Sequence, residues 1–191
     1  MAVEVLQDLV LQEVRLIPNA RPPHRDTPGI SAARRLALVR AAISGEPGLC
    51  VDDRELHRDA PSYTVDTLKS LRAELGGQPL CLIVGMDSFK GFPEWHRWQE
   101  LFQLSHIVVL ERPGYAPQLE PALADEVKKR AVARPEQLTD SAAGSIFFKS
   151  VSQLNISSTA IRQMIRAGKS IRYIVPDPVI EIIQQEHLYQ D

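Results

Sequence analysis

From Ile156 to Arg162 the chain runs Ile-Ser-Ser-Thr-Ala-Ile-Arg, a hydroxyl cluster at a helix start with a guanidinium four residues past Ser158. A helix opening leaves backbone N–H groups unpartnered and carries roughly half a positive charge from its aligned peptide dipoles. Ser157 is a good N-cap, and helical side chains lean toward the helix start, so Arg162 can reach back over the same opening. Amides, hydroxyls and a guanidinium converging in this way suit a phosphate. Ile156, Ser157, Ser158, Thr159 and Arg162 are therefore candidate phosphate ligands. An ordinary capped surface helix carries the same residue types, so the assignment depends on what the other loops hold.

Asp87, in Gly85-Met86-Asp87-Ser88, offers a carboxylate to ribose hydroxyls; simple capping of the next turn is the competing role. Trp95 offers an indole face to a flat heteroaromatic ring or else belongs to the core, for which Trp98 is the better candidate. Pro61-Ser62-Tyr63-Thr64 opens a helix whose free N–H groups could receive a small carboxylate or be capped only by the chain. His24 and Arg25 sit on the Pro-rich loop starting at Arg21, either as two donors for phosphate oxygens or as a solvated basic loop. No nucleophile stands out, because Ser88 lacks the Gly-x-Ser-x-Gly frame of a strained elbow.

Positioning these groups requires alternating strands and helices. Short strands are expected at Val14 to Pro18, Leu49 to Asp52 and Ile146 to Lys149, with buried strands at Leu80 to Val84 and His106 to Leu110. Helical spacing marks Ser31 to Ser44, Tyr63 to Leu75, Trp95 to Leu104, Pro121 to Ala133, Ser158 to Ala167 and Pro176 to Leu188. Leu80 to Val84 is almost wholly apolar and is expected at the centre of a parallel sheet. The order implies an α/β, Rossmann-like doubly wound parallel sheet, with ligands at the carboxyl ends of its strands.

A chain of 191 residues with 44% hydrophobic content fits one domain over 1–191. A net charge of −2 argues against nucleic acid as a partner. Cys50 and Cys81 are too few for a disulfide framework, and His24, His57, His96, His106 and His187 show no metal-ligand spacing, so no protein-held metal is expected. No apolar run would span a bilayer, and Glu4 and Asp8 do not suit a secretory signal; a cytoplasmic location is expected.

The ordered set of motifs resembles bacterial nicotinate-nucleotide adenylyltransferase, a nucleotidyltransferase with a Rossmann-like fold. The marks are Ile17-Pro18-Asn19 with Pro22-Pro23-His24-Arg25, Pro61 to Thr64 with Thr67-Leu68, Gly85 to Ser88, Pro93-Glu94-Trp95, Arg112-Pro113, and Ile156 to Thr159 with Ile161-Arg162. The resemblance covers essentially the whole chain. It implies that Ile156 to Thr159 and Arg162 serve ATP, that His24 and Arg25 lie near phosphates, and that Ser62, Tyr63, Thr64, Asp87, Trp95 and Arg112 hold nicotinate mononucleotide. Arg162 and His24 are the residues it marks as catalytic. The implied partners are ATP and nicotinate mononucleotide, with Mg2+ carried mainly on ATP phosphates, and a homo-oligomer is compatible with it.

The chain departs from the family pattern at its start. Family members open with a strand, a Gly-Gly-Thr-Phe-Asp-Pro-type loop and a His-x-x-His pair that contact ATP phosphates, whereas Met1 here opens in what reads as the following helix. The expectation is an N-terminally truncated domain whose start is placed too far downstream, because losing a central strand would strip its neighbours of ladder bonds and packing. The alternative is a non-catalytic nucleotide-binding remnant. The expected activity of the full protein is transfer of the adenylyl group of ATP to nicotinate mononucleotide, giving deamido-NAD and pyrophosphate in NAD biosynthesis.

Overall fold

The computed structural model describes residues 1–20, 30–111, 118–152 and 156–190; His24, Arg25 and Arg112 lie outside them. The elements run α1 (Ala2–Asp8), β1 (Val14–Leu16), α2 (Ala32–Ala42), β2 (Leu49–Val51), α3 (Thr64–Leu75), β3 (Cys81–Gly85) and α4 (Met86–Lys90). They continue with α5 (Leu101–Leu104), β4 (His106–Glu111), α6 (Pro121–Arg130), β5 (Ala131–Val132), β6 (Ile146–Ser150), α7 (Ser158–Arg166) and α8 (Asp177–Gln185). Every ladder is parallel, as the strand–helix alternation predicts. Hydrogen bonding among the described residues forms two sheets, β1-β2 and β3-β4-β6-β5, where the sequence suggests one. The alternating pattern fixes strand direction but does not specify which edges join. Two compact units follow, one mainly Val3–Leu9 with Tyr63–Gln153, the other mainly Val10–Ser62 with Leu154–Asp191.

In the first unit β4 is central, buried from His106 through Leu110. Leu80 to Val84, expected there, instead forms β3 at the end of the ladder, with Cys81, Leu82 and Ile83 only half-buried. An apolar run reports a preference for covered faces; it does not count hydrogen-bonded neighbours. Phe89, Phe92, Leu101, Ile107, Leu123 and Ile146 are fully buried around the sheet, each contributing about 2–3 kcal/mol of apolar transfer. His106 is buried with them. The Ser145 N–H donates to its Nδ1 at 3.1 Å, so the ring proton resides on Nε2, 2.9 Å from the Ser141 carbonyl. Burial pushes its pKa below the ordinary imidazole range.

Arg72 ties the far end of α3 to this sheet. Its Nε and Nη2 donate to the Leu104 carbonyl at 3.1 and 2.6 Å, Nη1 to Gly76 and Gln78 at 2.8 and 2.6 Å, and Nη2 also to Ala142 at 2.8 Å. On the buried face of α3 lie Val65, Thr67, Leu68 and Leu71. Docking of α1 is polar as well as apolar: Lys149 pairs with Asp8 at 2.6 Å and the Ser152 N–H donates to Glu4 at 3.0 Å.

Three helices differ from their expected spans by three residues or more at one end, among them α8, which stops at Gln185 rather than Leu188. Trp95 to Leu104 is not continuous, because Arg97 takes a left-handed conformation (φ 55) held by its fork onto Glu100 at 2.5 and 2.7 Å. A 3-10 turn at Trp98–Glu100 and then α5 still deliver Trp98, Leu101 and Phe102 to the core. The helix from Pro121 ends at Arg130, and Ala131 and Val132 pair with Ile146 and Phe147 instead.

The second unit packs α2 and α8 around Ile30, Ile171, Val179, Ile183 and Leu188, against which Ile161, Met164 and Ile165 of α7 lie partly buried. No residue of α7 is fully buried. This helix therefore rests on one apolar stripe and leaves its opening exposed. No helix among the described residues is long and apolar enough to cross a membrane.

Candidate functional site

The first unit holds a connected group of the expected mononucleotide residues. At the carboxyl rim of its sheet, β3 runs into α4 without a loop, Gly85 being both the last strand residue and the N-cap of α4. Gly85 has an ordinary φ of −74, and a Cβ added there would meet nothing within 4 Å. Asp87 lies two residues on, inside the first turn of α4, and is exposed. With Gly85 at the cap position, Asp87 is not the N-cap of this helix.

Trp95 is half-buried, whereas Trp98 is 8% exposed in the core, the division expected of the pair. The Trp95 indole lies on Phe92 at 4.7 Å between centroids, and its nitrogen is close to Gly91, whose added Cβ would sit 3.8 Å away. Its neighbour His96, exposed, stacks on Tyr63 at 4.4 Å and 34°. Phe92, Trp95, His96 and Tyr63 thus form an aromatic run from the rim to the opening of α3. Phe92 and His96 were not expected here: each is ordinary in sequence, and only their adjacency to Trp95 hinted at the run.

Tyr63 is the N-cap of α3 and supplies no side-chain cap bond. The Asp66 and Thr67 amides reach the Tyr63 carbonyl at 3.1 and 3.2 Å, which leaves Thr64 and Val65 as the first two amides of the helix, with no bond from the Tyr63 side chain. Ser62, beside them, is buried at 5% exposure.

The second unit holds the expected phosphate residues. Ser157 caps α7, its Oγ accepting the Ala160 N–H at 3.1 Å, while Ile156, Ser158 and Thr159 are exposed around the opening. Arg162 leans back toward the helix start and its Nη2 lies 3.5 Å from Thr159 Oγ1. The guanidinium also lies 6.0 Å from the ring centroid of Tyr189, a residue that sequence periodicity does not single out. Among the described residues no three His, Cys, Asp or Glu side chains cluster as metal ligands. Chemically, one unit offers amides, an aromatic run and a carboxylate; the other offers hydroxyls and a guanidinium.

Residues 1–164 match the Cytidylyltransferase-like family. A protein of Halorhodospira halophila named as a probable nicotinate-nucleotide adenylyltransferase is 48% identical over 188 residues, covering 98% of this chain and 86% of the relative. A Pseudomonas aeruginosa protein of the same name is 48% identical over 190 residues, covering 99% and 88%. The solved structure of Plasmodium falciparum nicotinic acid mononucleotide adenylyltransferase complexed with NaAD superposes with a TM-score of 0.66 at 14% identity, covering 98% of this chain and 90% of that one. At that identity the structural likeness is one of fold. Nearly half of the residues being shared along almost the whole length, the chain belongs to the nicotinate-nucleotide adenylyltransferase family of enzymes within the Cytidylyltransferase-like group.

Proposed function

We propose that this protein transfers the adenylyl group of ATP to nicotinate mononucleotide, releasing pyrophosphate and forming deamido-NAD, as a step of NAD biosynthesis in the cytoplasm. The observation that carries the acceptor is the opening of α3, whose N-cap Tyr63 supplies no side-chain cap bond and whose ring meets His96, the neighbour of Trp95. Backbone N–H groups accept a carboxylate well but meet the NH2 of an amide poorly, so this opening favours the acid over the amide. Trp95 would cover the pyridine, Ser62 to Thr64 would hold its carboxylate, and Asp87 would accept ribose hydroxyls.

In the reaction a phosphate oxygen of the mononucleotide attacks the α-phosphorus of ATP, and the bond from that phosphorus to the pyrophosphate oxygen breaks. The protein contributes position and charge rather than a covalent intermediate. Arg162, with the hydroxyls of Ser158 and Thr159 at the opening of α7, would bind the leaving pyrophosphate as its charge grows. His24 and Arg25 would add donors to the phosphates, and Arg112 would assist at the mononucleotide. Mg2+, carried on triphosphate oxygens and water, would supply charge neutralisation.

The test is turnover with ATP and either nicotinate or nicotinamide mononucleotide. Deamido-NAD formation with strong preference for the acid is expected. Equal rates on the two would reject the α3 opening as the carboxylate site, and mononucleotide binding without product would overturn the proposed activity.

A further inference from the structure

The second unit contains a contact that the proposed reaction does not use. Tyr189 lies in the turn after α8, in the left-handed region (φ 64), and His187 two residues earlier is left-handed as well (φ 52). Neither is glycine, so both positions are strained and must be held by their surroundings. Leu188 between them is 4% exposed and anchors the turn in the core of this unit, its N–H donating to the Ile183 carbonyl at 2.9 Å. The turn is thereby bent so that the half-buried Tyr189 ring comes under Arg162, 6.0 Å from guanidinium carbon to centroid.

The tyrosine stays neutral. Burial pushes its hydroxyl pKa up, and Arg162 and Arg35 offset that only in part. Its contact with Arg162 is therefore ring face to cation rather than phenolate to cation. Arg35, the other guanidinium acting on it, donates to the carbonyls of Asn19 and Ala20 and, at 2.9 Å, of Ile30. Arg35 is engaged with backbone through both of its terminal nitrogens, whereas the contacts of Arg162 among the described residues are the 3.5 Å approach to Thr159 and the Tyr189 ring. The ring thus helps to define where the Arg162 guanidinium rests.

We infer that Tyr189 is a positioning residue: its ring holds Arg162 over the opening of α7, ready for a triphosphate, so that the last turn of the chain tunes ATP use. The inference rests on the reading of Arg162 as a pyrophosphate ligand. A guanidinium held in place gives up less freedom on binding than one that must be ordered by the ligand.

The test uses the whole chain with four variants: Tyr189→Phe, Tyr189→Leu, Arg162→Ala and the Arg162→Ala/Tyr189→Leu double. In NMR spectra the Arg162 side-chain protons should be shifted by the ring current in the parent and in Tyr189→Phe, and lose that shift in Tyr189→Leu. In turnover assays Tyr189→Leu should raise KM for ATP about two- to fivefold, the range of a partly exposed cation–π contact, and leave KM for the mononucleotide unchanged. Tyr189→Phe should restore the parent value. On the Arg162→Ala background Tyr189→Leu should have no further effect. If Arg162→Ala leaves ATP use intact, the pyrophosphate role of Arg162 fails and takes this inference with it. If Arg162→Ala impairs ATP use while Tyr189→Leu does not, or acts equally on both backgrounds, only the positioning role of Tyr189 is overturned. If thermal melts show that Tyr189→Leu fails to fold, the Arg162 ring-current shift in the parent carries the test, and its absence there overturns the positioning role.

Discussion

The openings of α3 and α7 resemble each other in sequence and differ in chemistry. At α7 the N-cap hydroxyl is committed to the Ala160 N–H, so a ligand meets mostly the side chains of Ser158, Thr159 and Arg162. At α3 the N-cap is Tyr63, whose side chain makes no cap bond, so no N-cap hydroxyl is offered there. The first arrangement suits a large multivalent anion that several flexible groups can grip. The second, on the proposed reading, would receive a small planar carboxylate. Anchoring differs too: α3 buries four residues and is tied at its far end by Arg72, while α7 lies on a stripe with none fully buried.

The largest effect that would sharpen this contrast is expected from Arg72→Ala. Its loss leaves the Leu104, Gly76, Gln78 and Ala142 carbonyls short of a donor, and about 2–4 kcal/mol of stability should go, read by urea denaturation, with faster amide exchange in α3 than in the parent. A change under about 1 kcal/mol would mean α3 is anchored by packing alone. Next is Thr64→Pro. Proline fits the first helical position, and Tyr63 before it is already extended (φ −90, ψ 132), so the helix should persist with its first amide deleted. KM for nicotinate mononucleotide should rise about tenfold with KM for ATP unchanged, as for loss of a hydrogen bond to a charged group. Equal effects on both substrates would erase the distinction between the openings.

Ser157→Ala should cost about 1 kcal/mol, the usual worth of a cap, seen as a lowered melting temperature. The smallest effect concerns acid. His106 is neutral and its folded pKa is depressed by burial, so the unfolded chain takes up the proton first. Its stabilising contribution should be complete above about pH 6.5 and fall away as pH drops through the lower folded value. Replacing it in His106→Gln should flatten the acid side of a melting-temperature profile; an unaltered profile would assign that slope to other groups.

Much of the architecture could be read from residue order. Strand–helix alternation gave the parallel ladders, and Ser31 and Ser157 marked their helices because an N-cap hydroxyl is a local device. The position of β3 could not be read, since the pattern of Leu80 to Val84 describes faces and not neighbours. The break at Arg97 was hidden because a left-handed arginine held by Glu100 keeps the same apolar spacing that a continuous helix would have. In the candidate site, Trp95 and Trp98 were separable by their company, Pro93-Glu94 against Leu101-Phe102. Phe92, His96 and Tyr189 gave no such signal, because each acts through a contact with a ring or cation brought near only by folding.

Gly85 carries one more consequence. Its backbone is of a kind any residue adopts, and a methyl there would touch nothing. An alanine at such a position ordinarily stabilises a protein by about 0.4–1 kcal/mol, by restricting the unfolded chain. The scaffold forgoes that gain at the tip of β3, two residues before Asp87. Gly85→Ala is therefore expected to raise the melting temperature while leaving the junction of β3 and α4 in place.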